Sequence, residues 1–341
     1  MTFSAAVVGA SGFTGMELIR LLSGHDQFDL EVAISNSYAG ESIEGAFPSL
    51  YGLVGDLKFS ELNLGRLEGF DLVFLALPHG EAMNIAPKLL DEFGVRCVLD
   101  LGADFRLKDP NIYEKFYSLK HTESEWLSKA SYGLPELTRD RLRGAKLIAC
   151  AGCYVTAASL SIDPFIKNNV VDINSVIVDA ASGVTGAGKK LSDSTHFASV
   201  DENFTAYSLL NHRHTREIEQ VVGATVLFTP HLAPMNRGIL STTYMRLNKQ
   251  ISTEDALHML RNRYSGERFI YVSQSSPQTK ATLGSNMCHI TARVDERTNT
   301  LIVISALDNL VKGASGQAVQ CANIALGIEE RTGLLGGGIY P

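Results

Sequence analysis

An α/β fold of two domains is predicted, the first built on a doubly wound parallel sheet and the second an α+β unit with a mostly antiparallel sheet. Three features of the 341-residue sequence carry this prediction. Short apolar runs alternate with helix-length segments over the first ~150 residues. A glycine loop stands where the first run ends, and past Cys153 the runs grow longer and richer in β-formers.

Residues 4–8 form a short apolar strand, followed by Gly9-Ala10-Ser11-Gly12-Phe13-Thr14-Gly15. Residues 16–23 then carry apolar side chains at helical spacing, so the loop lies at a strand-to-helix turn. Residues 30–34, 71–77, 97–101 and 146–150 give further strands, separated by stretches long enough for a helix or connecting loop. That is the rhythm of parallel βαβ units. The β-rich runs of the second domain are 175–180, 225–229, 239–247, 288–294 and 300–306, with polar loops between them. Residues 313–327 are again helical in pattern and are expected to return to the first domain. The expected boundaries are therefore 1–150 plus 310–341 for the first domain and 151–309 for the second.

Composition narrows the function. A chain this long exceeds what one core usually supports. With 45% hydrophobic and 20% charged residues and a mean hydropathy of +0.05, it has the profile of a globular enzyme. The net charge is −7, and no lysine and arginine cluster follows a phosphate backbone, so nucleic acid is excluded as a partner. Met1-Thr2-Phe3-Ser4 leads into a strand with no basic leader, and no apolar stretch approaches bilayer length. A cytoplasmic protein without membrane contact is expected. The five cysteines, at 97, 150, 153, 288 and 321, are odd in number and scattered, which points to reduced thiols.

The glycine loop reads G-x-x-G-x-x-G. Such a loop is found as a plain tight turn, but ahead of a helix it also lets the backbone approach a pyrophosphate while the helix N–H groups face the anion. A Rossmann-like dinucleotide domain follows from that position, with Gly9, Ser11, Gly12, Phe13, Thr14 and Gly15 as cofactor contacts. After the second strand comes Ser35-Asn36-Ser37, with no acidic residue to hold a ribose 2′-hydroxyl. NADP(H) is therefore favoured over NAD.

Cys153 lies in Ile148-Ala149-Cys150-Ala151-Gly152-Cys153-Tyr154-Val155-Thr156, where a strand-like run passes through a glycine turn into a helix. A thiol at a helix start is stabilised as thiolate, the form that attacks carbonyl carbon. Cys150 and Cys153 also spell C-x-x-C, but a redox pair belongs after the first strand of a small domain and a zinc site needs more ligands nearby. No metal is expected, and Cys150 reads as a buried strand residue. His212 and His214 are the candidate proton carriers. At i and i+2 on a helix they face apart, so at most one points at Cys153, and both remain candidates. His231 is a weaker one. Arg237, in a loop bounded by Pro234 and Gly238, can present a bidentate fork to a carboxylate.

These residues fall in blocks that resemble the N-acetyl-γ-glutamyl-phosphate reductases of arginine biosynthesis, relatives of aspartate-semialdehyde dehydrogenase. The blocks are G-A-S-G-F-T-G at 9–15, L-P-H-G at 77–80, D-L-G-A-D-F-R-L at 100–107, Y-G-L-P-E at 132–136 and G-C-Y at 152–154. Further on come S-G-V-T-G-A-G at 182–188, H-R-H at 212–214, F-T-P-H-L-A-P-M-N-R-G at 228–238 and D-N-L-V-K-G-A-S-G-Q-A at 308–318. The resemblance implies NADPH-dependent reduction of N-acetyl-γ-glutamyl phosphate to the 5-semialdehyde and phosphate. Cys153 would be the nucleophile, and the H-R-H segment would supply the acid/base histidine. It also implies that Leu77, Pro78, Ser182, Gly183 and Gly186 line the cofactor, and that Asn309 and Lys312 lie near the cofactor or the reacting phosphate. Arg106 and Tyr207 join Arg237 as substrate-binding candidates, and a homodimer or homotetramer is expected. A reductase of carrier-linked aminoadipyl phosphate from lysine biosynthesis, or an NADP-binding sensor without chemistry, are the alternatives. The family block N-P-G-C-Y-P-T is here Cys150-Ala151-Gly152-Cys153-Tyr154-Val155-Thr156, and Arg216 stands where proline is usual before Glu217.

Overall fold

A computed structural model describes residues 2–340; Met1 and Pro341, the outer ends of the expected first domain, lie outside the described residues. The described residues divide into two compact units, 2–151 with 314–334, and 152–313 with 335–340.

The first unit holds seven strands: β1 (Phe3–Val8), β2 (Phe28–Ile34), β3 (Phe59–Ser60), β4 (Leu72–Leu75), β5 (Cys97–Asp100), β6 (Ser131–Gly133) and β7 (Leu147–Cys150). They run parallel in the order β3-β2-β1-β4-β5-β7-β6. β4, β5 and β7 are buried along their whole length, which is why their sequences read as unbroken apolar runs. Side chains alternate between two cores. Ala5, Val7, Leu72 and Phe74 pack on one face with helices Phe13–Ser23 and Gly316–Leu326, while Ala6, Val8, Val73 and Leu75 meet helix Ala82–Asp91 on the other. β2 lies to one side of β1 and β4 to the other, so the strand order reverses there. The carboxyl ends at such a reversal are where open α/β sheets take ligands.

The second unit holds β8 (Val176–Ser182), β9 (Thr205–Ala206), β10 (Val226–Leu232), β11 (Ile239–Arg246), β12 (Ile270–Val272), β13 (Cys288–Asp295) and β14 (Thr300–Leu307). Their order is β12-β13-β14-β11-β8-β10-β9. The expectation of a mostly antiparallel sheet is corrected here, because the sheet is mixed: β8 with β10 and β12 with β13 are parallel. Parallel neighbours need a crossover, and helix His214–Val222 lies in the one that joins β8 to β10. β10 also runs on through Pro230, where the sequence pattern stops at Thr229. Proline lacks only a donor, and its carbonyl still accepts from Tyr207 N–H (3.1 Å). Helix Cys153–Lys167 covers one face of this sheet, with Ser305 Oγ donating to its Ala157 carbonyl at 3.0 Å. The opposite face is open and partly apolar, carrying Ile177, Leu227 and Leu240. Among the described residues no helix is long and apolar enough to cross a membrane.

A buried histidine ties the closing helix of the first unit to its sheet. His25 Nδ1 accepts from the N–H groups of Gln27 and Phe28 (3.2 and 3.0 Å), and Nε2 faces Asn323 Oδ1 at 3.0 Å. Nδ1 must stay unprotonated to do this, and burial holds the imidazole below its ordinary 6.5. The unfolded chain takes up this proton first as pH falls, so the stability it lends is present above pH 6.5 and is lost as pH drops through the lowered folded value. Thermal melts between pH 8 and 5 are expected to show a falling Tm across that window, and His25→Gln should flatten the fall.

Candidate active site

In the first unit the glycine loop is shaped for close approach. Gly9 has φ +82°, and the Ala76 carbonyl at the end of β4 fills the space a side chain would need. A methyl at Gly15 would come within 2.6 Å of Ala10 Cα, so only glycine lets the helix start this near the strand. Gly12 caps helix Phe13–Ser23, whose first turn, with Phe13, Thr14 and Gly15, holds no acidic residue. Its N–H groups are left for an anion. Gly9 and Ala10 N–H both donate to the Ile34 carbonyl (3.0 and 2.9 Å), which fixes the loop to the end of β2. There Ser35 Oγ donates to Ser11 Oγ (2.7 Å) and lies 3.3 Å from Ser37 Oγ. These three hydroxyls form a row without a carboxylate among them, chemistry that accepts a 2′-phosphate. Asn36 serves the backbone instead, its Oδ1 accepting from Leu62 N–H (2.8 Å) and securing the next loop. No sequence motif marks Arg66, which lines an open pocket with Ala39, Gly40 and Asn63 beyond this point.

Leu77 and Pro78 follow β4 in a loop whose far end is held by Asp104. That buried carboxylate accepts from Gly80 N–H (2.8 Å), Met83 N–H (3.0 Å) and Tyr113 OH (2.7 Å). Beside it, burial and then Asp104 push the Asp100 carboxyl up to about 7, opposed by Arg106. Arg106, expected at the substrate, is 7% exposed and donates from Nη2 to the Leu101 carbonyl (2.9 Å). In this structure its guanidinium braces the loop.

In the second unit Cys153 is the first residue of helix Cys153–Lys167, and Gly152 is its N-cap. The N–H groups of residues 153–155 lie ahead of the first intrahelical bond, Thr156 N–H to Gly152 O (2.9 Å). All five cysteines are thiols outside any disulfide, and Cys153 alone among them is not buried. Cys150 sits in the core of the first unit, so the C-x-x-C spacing joins a packing residue to a half-exposed thiol.

The His214 ring occupies the space that a side chain at residue 152 would take, with Nε2 its nearest atom. Glu217, one turn on and fully buried, accepts from Gly152 N–H (3.0 Å). The sequence pattern did not single out this carboxylate, though its i,i+3 spacing from His214 places both on one helix face. The His212 ring packs edge-on to that of His214, with centroids 4.8 Å apart. Its Nδ1 accepts from His214 N–H (3.1 Å), and burial followed by the Arg213 cation pushes the imidazole down to about 4. Tyr207 OH donates to Tyr154 OH (3.2 Å), which donates to the His231 carbonyl (3.0 Å), and the Tyr154 ring meets both His212 and His214 edge-on. Burial raises the Tyr207 phenol to about 12, so it stays protonated.

Ser182, Gly183 and Gly186 form a second cluster in this unit. A side chain at Gly183 would strike the Asn236 backbone, and one at Gly186 would meet Ser182 Oγ. Asn309 closes the loop, donating from Nδ2 to Thr185 Oγ1 (2.9 Å) and accepting from Gly238 N–H (2.7 Å). Arg237 donates from Nη1 to Asp308 Oδ2 at 3.4 Å and remains 19% exposed. Asn309 and Lys312, expected near cofactor or phosphate, are both buried. Both ends of the Asn309 amide are taken up by the loop, and Lys312 is fully enclosed with its ammonium 5.9 Å from the Phe269 ring centre.

Comparison with known proteins shows the family. Residues 4–145 match the semialdehyde dehydrogenase NAD binding domain, and residues 153–309 match the semialdehyde dehydrogenase dimerisation domain. The N-acetyl-gamma-glutamyl-phosphate reductase of Desulforamulus reducens is 48% identical over 98% of this chain and 99% of its own. That of Pelotomaculum thermopropionicum is 47% identical over the whole of both chains. The chain belongs to the N-acetyl-γ-glutamyl-phosphate reductase family. Among solved structures, aspartate semialdehyde dehydrogenase II of Vibrio cholerae superposes with a TM-score of 0.71 at 16% identity, covering 95% of this chain and 98% of that one. Aspartate semialdehyde dehydrogenase with NADP from Candida albicans superposes with a TM-score of 0.69 at 16% identity, covering 95% and 98%. These two share the fold.

Glu217→Ala leaves the buried Gly152 N–H without its acceptor, a loss of about 1–3 kcal/mol. Urea unfolding against wild type measures it. A midpoint unchanged in Glu217→Ala would show that the Gly152 bond contributes nothing to stability.

Proposed function

We propose that the protein is an NADPH-dependent oxidoreductase that converts N-acetyl-γ-glutamyl phosphate to N-acetylglutamate 5-semialdehyde and phosphate in arginine biosynthesis. The observation that carries this reading is the meeting of Gly152, Cys153, His214 and Glu217 at one helix start, in a chain whose relatives bear that name. The first unit, residues 2–151 with 314–334, is assigned to NADP(H), and the second, residues 152–313 with 335–340, to catalysis and assembly. The cofactor site fits: a glycine loop with an open helix N-terminus suits a pyrophosphate, and the Ser11, Ser35 and Ser37 hydroxyls suit a 2′-phosphate. Leu77 and Pro78 border that site. NADPH, when bound, supplies the hydride that reduces the acyl carbon.

The remaining work falls to side chains and backbone. Cys153 thiolate attacks the acyl phosphate carbon, the C–O bond to phosphate breaks, and phosphate leaves with that electron pair, giving a thioester. The N–H groups at the helix start receive the oxyanion. After reduction the C–S bond breaks and the thiolate returns, with His214 moving the proton. His212 is assigned a supporting role, because its Nδ1 is engaged by the His214 backbone and its imidazole is neutral at working pH. Arg237, its guanidinium oriented by Asp308, is assigned to the substrate carboxylate, and Tyr207 is a further substrate-binding candidate. A net charge of −7 gives no basic docking surface for an acidic carrier, so the carrier-linked alternative gains no support. The assembled thiol and imidazole likewise speak against a sensor that has lost chemistry.

The protein is read as cytoplasmic and as a homodimer or homotetramer, built on the dimerisation domain through the open face that bears Ile177, Leu227 and Leu240. An apolar face of this kind is ordinarily covered. Ile177→Glu with Leu227→Glu should shift the mass measured by light scattering to a smaller species.

His214→Gln should lower kcat by about 10²–10⁴ while NADPH binding, followed by fluorescence, is retained; His212→Gln should lose less. The decisive assay runs in reverse, with N-acetylglutamate semialdehyde, aspartate semialdehyde and glyceraldehyde 3-phosphate compared in the presence of NADP and phosphate. Cys153→Ser that still reduces NADP at near wild-type rate would sink the mechanism.

A further inference from the structure

One more segment reaches the nucleophile. After β14 the backbone turns at Asp308 and enters a wide π-helical turn, Val311–Ser315, before the helix Gly316–Leu326 begins. Such turns are rare and cluster at functional sites. Asp308 is fully buried, and its carboxylate accepts from four directions. Oδ1 takes the N–H groups of Leu310 (2.8 Å) and Val311 (3.2 Å), and Oδ2 takes Gly284 N–H (2.8 Å) and Arg237 Nη1 (3.4 Å). The Asp308 carbonyl accepts from Gly313 N–H (2.9 Å), so the acid fixes the turn from both its side chain and its backbone.

That turn brings Gly313 against Cys153. A methyl group on Gly313 would come within 2.8 Å of Cys153 Cβ and 3.3 Å of its Cα, a contact that real side chains do not make. The bare Cα of residue 313 is thus one wall of the space in which the Cys153 side chain lies, and His214 at Gly152 is a neighbouring one. Because the Cys153 sulfur hangs from the atom in contact, moving that wall moves the sulfur.

We propose that Gly313, held in place by Asp308 through the π turn, is a positioning residue that sets where the Cys153 sulfur lies. The proposal rests on the reading of Cys153 as nucleophile and deepens it. It also joins Arg237 to the same device, since one carboxylate orients the guanidinium and the turn behind the thiol. A substrate carboxylate bound by Arg237 would then be placed in fixed register with the attacking atom.

The test uses the full-length protein and a reaction that needs no substrate. Iodoacetamide alkylation of Cys153 is followed by peptide mass mapping across pH 6 to 9, alongside kcat and KM for the semialdehyde and for NADP. Gly313→Ala is expected to change the Cys153 alkylation rate at least fivefold and to lower kcat at least tenfold, with KM for NADP within twofold of wild type. A folded Gly313→Ala with alkylation and kcat both within twofold of wild type overturns the proposal, even if its Tm has dropped, because that pattern belongs to a purely structural glycine. Should the added methyl prevent folding, Asp308→Asn decides. It removes no heavy atom, yet it turns one acceptor into a donor facing Gly284 N–H. It should slow alkylation and lower kcat at least fivefold, and wild-type values for both overturn the proposal equally. Wild-type enzyme that is alkylated at Cys153 but oxidises none of the semialdehydes with NADP and phosphate would count against the proposed function, and the alkylation comparison would still stand by itself.

Discussion

The second unit is organised around a position that cannot bear a side chain. At residue 152 the backbone makes the step from β7 into helix Cys153–Lys167, and the space beside its Cα is taken by the His214 ring. Its N–H is claimed by Glu217 and its carbonyl by Thr156. Any Cβ there would force the imidazole to move. Any loss of the carboxylate would leave a buried donor without its acceptor. Close packing around one missing methyl thus aligns two helices that begin 61 residues apart in the sequence, at 153 and 214.

The first unit meets a related constraint with backbone alone. The 9–15 loop, the end of β2 and the loop after β4 carry no lysine or arginine. Their backbone is held by buried acceptors. The Ile34 carbonyl receives the Gly9 and Ala10 N–H groups, and Asp104 receives those of Gly80 and Met83. A buried carboxylate with three donors is a stiff anchor, because releasing any one of them leaves a polar group in an apolar setting. Asp308 repeats the device in the second unit. In both places the acid acts on the backbone of a loop and leaves the ligand to others.

Histidine roles separate by the same logic. His212 and His214 are two residues apart, and both pack on Tyr154, yet their environments differ. One ring nitrogen of His212 is used up by a backbone N–H, and burial keeps that ring neutral. His214 keeps its place beside the residue that precedes the thiol. A sequence window shows two equivalent imidazoles, whereas the helix start at His214 gives them different surroundings.

Local pattern determined much of this protein. The apolar runs, the glycine loop at a strand-to-helix turn, the thiol at a helix start and the absence of an acid after β2 each depend on neighbours a few residues away, and all are readable without coordinates. What tertiary structure alone decided are matters of long-range partnership. The parallel pairing of β8 with β10 depends on a crossover whose path no local spacing reveals. The enclosure of Lys312 and the inward-turned amide of Asn309 depend on a π turn with no sequence signature. Glu217, Asp104 and Asp308 look like ordinary surface acids until the chain folds, because a carboxylate becomes an anchor only when distant N–H groups converge on it and water is gone.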